Sequence, residues 1–189
     1  SRRLGFVVVA WLCAAVFGVV VAHAQPQMET LGRGVVALRT STTQTYVSWR
    51  LLGGDADAIA FNLYRSIGGA TAVRLNASPL TATTDYRDSV ASANVASSIV
   101  DVVRPVVGEV DKAASAVFTL PANVAVQSYL SVPLQIPAGG TTPDGVAYTY
   151  SANDAAPADL DGDGEFELIL KWDPSNAKDN SQAGYTGNV

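Results

Sequence analysis

The stretch DLDGDGEFE places five carboxylates within nine residues, at Asp159, Asp161, Asp163, Glu165 and Glu167. Like charges so close repel one another, and a hard cation bound among them would remove that cost. Gly162 and Gly164 let the backbone coil, because glycine accepts positive φ without steric penalty. The carboxylates of Asp159, Asp161, Asp163 and Glu167 and the backbone carbonyl of Glu165 then surround one centre. Oxygen-only donors in this number suit Ca2+ better than Mg2+, which demands octahedral geometry and keeps several waters. Zinc is disfavoured, since it takes Cys and His ligands and the segment has neither. The alternative is a solvated acidic turn without metal. If an ion binds, a site filled by protein oxygens leaves no open position for substrate, which favours a structural role.

The spacing follows the first half of an EF-hand loop, whose ligands stand at positions 1, 3, 5 and 7, and departs from it afterwards. An EF-hand closes on a glutamate at position 12 that opens a helix. Here Glu167 enters EFELILKW, in which Phe166, Leu168, Leu170 and Trp172 alternate. That is a strand pattern, so the loop is expected to lead into a β-hairpin or propeller blade.

The elements before the loop read as all-β. From Met28 to about Leu120, short β-branched runs alternate with Gly, Asn, Asp and Ser clusters, the spacing of a β-sandwich. Strands are expected at Gly34 to Thr40, Thr45 to Leu52, Ala60 to Ser66, Thr71 to Asn76, Ser98 to Val107 and Ala116 to Leu120. Val47, Trp49 and Leu51 share one face of the second strand and Ser48 and Arg50 the other. Trp49 is read as a core aromatic. Phe61, Leu63 and Ile67 share a face opposite Asn62 and Tyr64. The aspartates of GGDADA, Asp55 and Asp57, are read as solvated, and SVASANVASSIV is ambiguous between helix and strand. The order VSW, AFNLYRS, TDYRDS resembles a fibronectin type III module in fold. Pro121 marks a boundary, after which loops lengthen and Pro, Gly, Asn and Asp increase. The expected organisation is a β-sandwich at residues 25–122 and the start of a second domain at 123–189.

At the other end, Arg2 and Arg3 precede an uncharged run from Leu4 to Ala22, followed by Ala22-His23-Ala24. This is the layout of a secretory signal peptide, residues 1–24, cleaved after Ala24; an uncleaved membrane anchor is the alternative. Cleavage would remove His23 and Cys13, the only histidine and cysteine, so the secreted chain would form no disulfide. It would also take the 12 basic residues down to 10 against 17 acidic ones, a balance that excludes nucleic acid as a partner. No stable membrane association is expected after processing. The sequence lacks an initiator methionine and stops at GYTGNV, and is read as a fragment at both ends.

PAGGTTPDGVAYTYSANDA followed by DLDGDGEFELILKWDPSNAKDNSQAGYTGNV resembles the rhamnogalacturonan lyases whose catalytic domain is an eight-bladed β-propeller. YVSWRLLGGDADAIAFNLYRS and VVRPVV resemble the β-sheet domain that precedes that propeller. The resemblance implies a secreted, calcium-dependent enzyme that cleaves the rhamnose-galacturonate backbone of pectin by β-elimination. It adds Asp154 of SAND to the calcium ligands Asp159, Asp161, Asp163, Glu165 and Glu167. It also places Asn153 and Asp173 towards the sugar, where an Asx turn and a turn-opening aspartate are the plainer readings. The family's proton-abstracting and carboxylate-binding residues would lie beyond Val189, so no catalytic residue is expected here and the chain alone is expected to be inactive. Lys171 and Tyr185 are chemically possible bases, but Lys171 reads as solvated. A non-catalytic, calcium-stabilised β module for carbohydrate binding or adhesion is the second reading.

Overall fold

The computed structural model of the protein describes residues 30–179 and 181–187; the expected signal segment, residues 1–24, lies outside them. Twelve strands succeed one another among these residues: β1 Val36–Ser41, β2 Gln44–Ser48, β3 Ala60–Ile67, β4 Val73–Arg74, β5 Asp85–Ser89, β6 Ile99–Val107, β7 Val110–Asp111, β8 Phe118–Leu120, β9 Gly140–Thr141, β10 Ala147–Tyr148, β11 Tyr150–Ala158 and β12 Glu167–Pro174. The ambiguous alanine-rich stretch resolves into a short 3-10 turn, Ser92–Ala96, before β6. No helix among the described residues is long and apolar enough to cross a membrane.

The first eight strands form the expected sandwich. One sheet runs β1-β2-β5 and the other β4-β3-β6-β7, with β8 also on β6. The β1-β2 hairpin turns where the Ser41 hydroxyl accepts a hydrogen bond from the Thr43 N–H at 3.2 Å, a local bond that fixes a tight turn. Inward-facing Ala37, Val47 and Trp49 of one sheet meet Phe61, Leu63 and Val103 of the other. Trp49 stands edge-on to Phe61 with centroids 5.5 Å apart, the core role its alternation indicated. Leu51 departs from that alternation. Strand β2 ends at Ser48, and beyond it the pleat no longer aims Leu51 inward, leaving it 63% exposed. Asp55 departs as well: Arg33 donates to both its carboxylate oxygens at 2.5 and 2.6 Å, so it is a paired, largely buried group and not a solvated one.

A second, smaller apolar cluster holds Val90, Ile99 and Leu120. Between the two clusters the inward positions turn polar on every long strand: Arg39 on β1, Thr45 on β2, Arg65 on β3, Asp88 on β5 and Asp101 on β6. Register makes this a layer, since Arg39 pairs Thr45, Thr45 pairs Asp88, and Arg65 pairs Asp101. An ion pair from Arg65 Nη1 to Asp88 Oδ2 joins the sheets. Asp101 is fully buried, and neither of its oxygens accepts a hydrogen bond from a described residue. Burial first, then repulsion by Asp88, pushes the Asp101 carboxyl up to about 7, against the attraction of Arg65. Burial likewise raises Asp88, opposed by its bond to Arg65.

The raised Asp101 pKa sets a direction for stability. From the ordinary aspartate range up to about 7 the folded chain holds a proton that the unfolded chain has released, so this group's contribution is present at low pH and lost as pH rises. Thermal unfolding followed between pH 5 and 8 should show a falling midpoint. Asp101→Asn, which keeps the shape of the neutral acid, should flatten that slope and stabilise the protein at pH 8 relative to the unaltered chain. An unchanged slope in the variant would assign the pH dependence elsewhere.

Candidate functional site

The acidic loop is the turn between β11 and β12. Ala158 pairs Glu167, so the hairpin itself brings Glu167 back beside Asp159. Inside the turn Gly162 and Gly164 adopt φ of 79° and 91°, the left-handed conformations their type allows. With the chain so coiled, its amides point at the carboxylates. Asp159 Oδ1 accepts from Gly162 N–H at 2.8 Å and Asp159 Oδ2 from Gly164 N–H at 3.1 Å. Asp161 Oδ1 accepts from Asp163 N–H at 3.1 Å, and Glu167 Oε2 from Leu160 N–H at 2.8 Å.

These bonds converge Asp159, Asp161 and Glu167 until one oxygen of each lies within 4.8 Å of the others. At that separation two unit charges repel by roughly 1 kcal/mol in water and roughly 3.5 kcal/mol at the effective dielectric of a protein surface. Calcium–oxygen distances put donors on opposite sides of the ion about 5 Å apart, so the donor set and its spacing fit Ca2+. Asp163 lies outside the trio and accepts instead from Glu165 N–H at 2.8 Å. The Glu165 side chain turns to Arg50, with Glu165 Oε2 at 3.8 Å from Arg50 Nη1, and so stands outside the trio. Asp154 stands on β11, five residues before Asp159, a rise of about 16 Å along an extended strand. It therefore does not join the trio.

Asp154 and Asn153 occupy a bulge. Ala152 pairs Trp172 and the next pair is Ala155 with Leu170, so two residues of β11 stand opposite Lys171 alone. The bulge turns Asn153 onto Asp173: Asn153 Nδ2 donates to Asp173 Oδ2, and Lys171 Nζ lies 3.1 Å from Asp173 Oδ1. The Lys171 ammonium foremost, and Asn153 after it, hold the Asp173 carboxyl below its ordinary range. The two residues expected to face sugar are thus neighbours on the exposed hairpin, and Lys171, solvated as its position suggested, is their third member. Tyr185 is also exposed and apart from the trio.

One functional contact escaped the sequence. The loop docks on the sandwich: Gly164 C=O accepts from Gly32 N–H at 2.5 Å, Arg50 Nη1 donates to Gly32 C=O at 3.1 Å, and the Arg50 guanidinium lies 4.3 Å above the Phe166 ring. An open cleft of about 500 Å³ beside this contact is lined by Arg33 and Lys112 from the sandwich and Asp163 and Glu165 from the loop. Nothing local in the sequence pairs Arg50 with a residue 114 positions away.

Fold and loop together define a two-part all-β protein with a carboxylate cluster of cation-binding geometry at the junction of its parts. Two family models match it: rhamnogalacturonan I lyases beta-sheet domain over residues 26–120, and rhamnogalacturonan lyase family 11, C-terminal domain over residues 129–189. The chain belongs to the rhamnogalacturonan I lyase family. It is 48% identical over 193 residues to rhamnogalacturonan endolyase YesW of Bacillus subtilis (strain 168), covering 100% of this chain and 29% of that protein. To rhamnogalacturonan exolyase YesX of the same organism it is 45% identical over 163 residues, covering 86% of this chain and 24% of that protein. Among solved structures, it matches rhamnogalacturonan lyase PL11 of Bacillus licheniformis with TM-score 0.67 and 52% identity, over 85% of this chain and 25% of that one. The chain therefore spans under a third of the length of these relatives.

Gly164 tests the loop geometry. A Cβ there would combine an unfavourable φ of 91° with approaches of 2.9 Å to Gly32 N and 3.0 Å to Thr30 O. Gly164→Ala should lower the thermal midpoint by several degrees, from about 1–2 kcal/mol of left-handed strain alone, whereas Gly162→Ala, which meets open space, should cost less. Equal midpoints for the two variants in calorimetry would remove the docking contact from the explanation.

Proposed function

We propose that the chain is the N-terminal part of a secreted, calcium-dependent rhamnogalacturonan lyase that cleaves the rhamnose-galacturonate backbone of pectin by β-elimination. The observation that carries this reading is the match to two lyase family models in succession, which together take in most of the chain. Residues 1–24 serve as its signal peptide, cut after Ala24, on the charge and hydropathy pattern alone. Strands β11 and β12 open the first propeller blade. In support, Leu168 and Ile169, on opposite faces of this two-stranded sheet, are 51% and 47% exposed, and such a pair needs further strands to be stable.

In this reading Asp159, Asp161 and Glu167 hold Ca2+ with the Glu165 carbonyl, Asp163 adds a ligand only if its side chain moves, and Asp154 stands too far along β11 to take part. The loop amides hold the three carboxylates in place, so the ion meets a preformed cage. With its site filled by protein oxygens, this loop's ion would hold the turn in shape; the charge neutralisation that acidifies a uronate C5 proton would come from a cation with an open position for the substrate carboxylate. Asn153 and Asp173 contribute a donor and an acceptor to sugar hydroxyls, with Lys171 keeping Asp173 ionised. None of the described residues is assigned as the proton-abstracting base.

Two measurements test this. Excess Ca2+ should raise the thermal midpoint relative to chelator, since an ion that binds only the folded state stabilises by about 2.7 kcal/mol at a hundred times its Kd; Asp161→Asn should abolish the rise. In a chimera that replaces the matching N-terminal part of the B. subtilis endolyase with this chain, rhamnogalacturonan should yield unsaturated uronate products, read as new ultraviolet absorbance, while the chain alone should yield none. A folded chimera without activity would count against the lyase reading, and activity of the chain alone against the absence of a base.

A further inference from the structure

The backbone of Gly164 is engaged on both sides of its Cα. Its N–H donates to Asp159 Oδ2 at 3.1 Å, fixing one carboxylate of the cation trio. Its C=O accepts from Gly32 N–H at 2.5 Å and from Arg50 Nη1 at 3.4 Å, both in the sandwich. Arg50 then closes a ring of contacts. The same Nη1 reaches Gly32 C=O at 3.1 Å and lies 3.8 Å from Glu165 Oε2, and the guanidinium stacks on Phe166, the residue just before Glu167. The space for it is made by Gly34, where a Cβ would fall 2.4 Å from the guanidinium carbon.

We infer that Arg50 is a positioning residue for the cation loop, so that ion binding at Asp159, Asp161 and Glu167 and docking of the sandwich onto the loop are one coupled event. The inference rests on the proposed reading of the loop as an ion site. A coiled eight-residue turn free in solution would lose conformational entropy on closing around an ion. The sandwich removes part of that loss beforehand by holding Gly164, Glu165 and Phe166 through one rigid planar guanidinium, whose Nη1 serves both carbonyls while its face covers the ring. Arg50 also draws the Glu165 side chain away from the trio. Linkage then requires the reverse effect: an ion that tightens the loop must tighten the contact at Gly32 by the same factor.

Calcium titration by calorimetry into the chain and its variants tests this, together with amide hydrogen exchange at Gly32. Wild-type chain should bind Ca2+, and its Gly32 amide should exchange more slowly when Ca2+ is added. Arg50→Gln should weaken binding by about tenfold and make Gly32 exchange indifferent to Ca2+. Arg50→Lys, which keeps the charge and loses the planar face, should recover part of the affinity. Phe166→Leu, on a partly exposed ring whose loss leaves the sandwich core intact, should weaken binding about threefold, and it carries the test if Arg50→Gln does not fold. Unchanged affinity in Arg50→Gln and Phe166→Leu would overturn the inference while leaving the ion site standing. Tighter binding by Arg50→Gln would also overturn it, reducing Arg50 to a charge that repels the ion. Absence of Ca2+ binding by the wild-type chain itself would sink the ion reading, and the inference with it.

Discussion

The hydrogen bonds on the two sides of the Gly164 Cα are the constraint on which the arrangement of the rest depends. One side belongs to the carboxylate trio and the other to the sandwich, so neither part can shift without disturbing the other. Only glycine meets the three demands made there: φ of 91°, close approach to the Gly32 amide, and a free carbonyl face for Arg50. The β11-β12 hairpin supplies the remaining geometry by pairing Ala158 with Glu167, which brings Asp159 and Glu167, eight residues apart in sequence, together in one turn. Local amides do the aiming. The sandwich supplies the rigidity, through a contact that a hairpin alone would lack.

The same sandwich contains a feature that works against its stability. Five polar side chains stand in one layer between two apolar clusters, and only the Arg65–Asp88 pair is matched there. Arg39 is 1% exposed and its guanidinium nitrogens make no hydrogen bond to a described residue, while Asp101 is in the same position with the opposite charge. Desolvating such groups costs several kcal/mol each unless they are paired, and a buried carboxyl responds by taking up a proton. That is the direction found for Asp101. The cost is borne by the large apolar contacts on either side, above all Trp49 and Phe61, and by the eight-residue β3-β6 ladder.

How much of this was legible in the sequence follows from the range of each interaction. Strand periodicity located β1, β2, β3, β6 and β8 because side-chain alternation is written residue by residue, and it failed at Leu51 only where the strand had already ended. The trio Asp159, Asp161 and Glu167 was legible because carboxylate spacing and bend glycines are local. Asp154 could be named from resemblance, yet the extended strand carries it away from the loop. Asp55 looked solvated because its partner Arg33 lies 22 residues off across a turn. Arg50 faced the wrong way for the core and was correctly placed outward, but outward here means onto the acidic loop, which only the docked structure defines.

The polar layer was missed for a different reason, and the reason bears on what it does. Alternation treats Arg39, Thr45, Arg65, Asp88 and Asp101 as breaks in otherwise apolar faces, whereas register aligns all five. A slip of one residue in any strand would flip its polar member to the outside and bring a different side chain inward. On β6 that slip would replace Asp101 by Val100 or Val102, but it would also turn the charged Arg104 onto the inward face, which burial opposes. The Arg65–Asp88 pair acts in the same way on the neighbouring strands, because slipping β3 or β5 would strand one buried charge without its partner, a loss of about 3–5 kcal/mol. Register in this sandwich is thus selected by charged residues on both faces: Arg104 resists being turned inward on β6, and the Arg65–Asp88 pair ties β3 to β5.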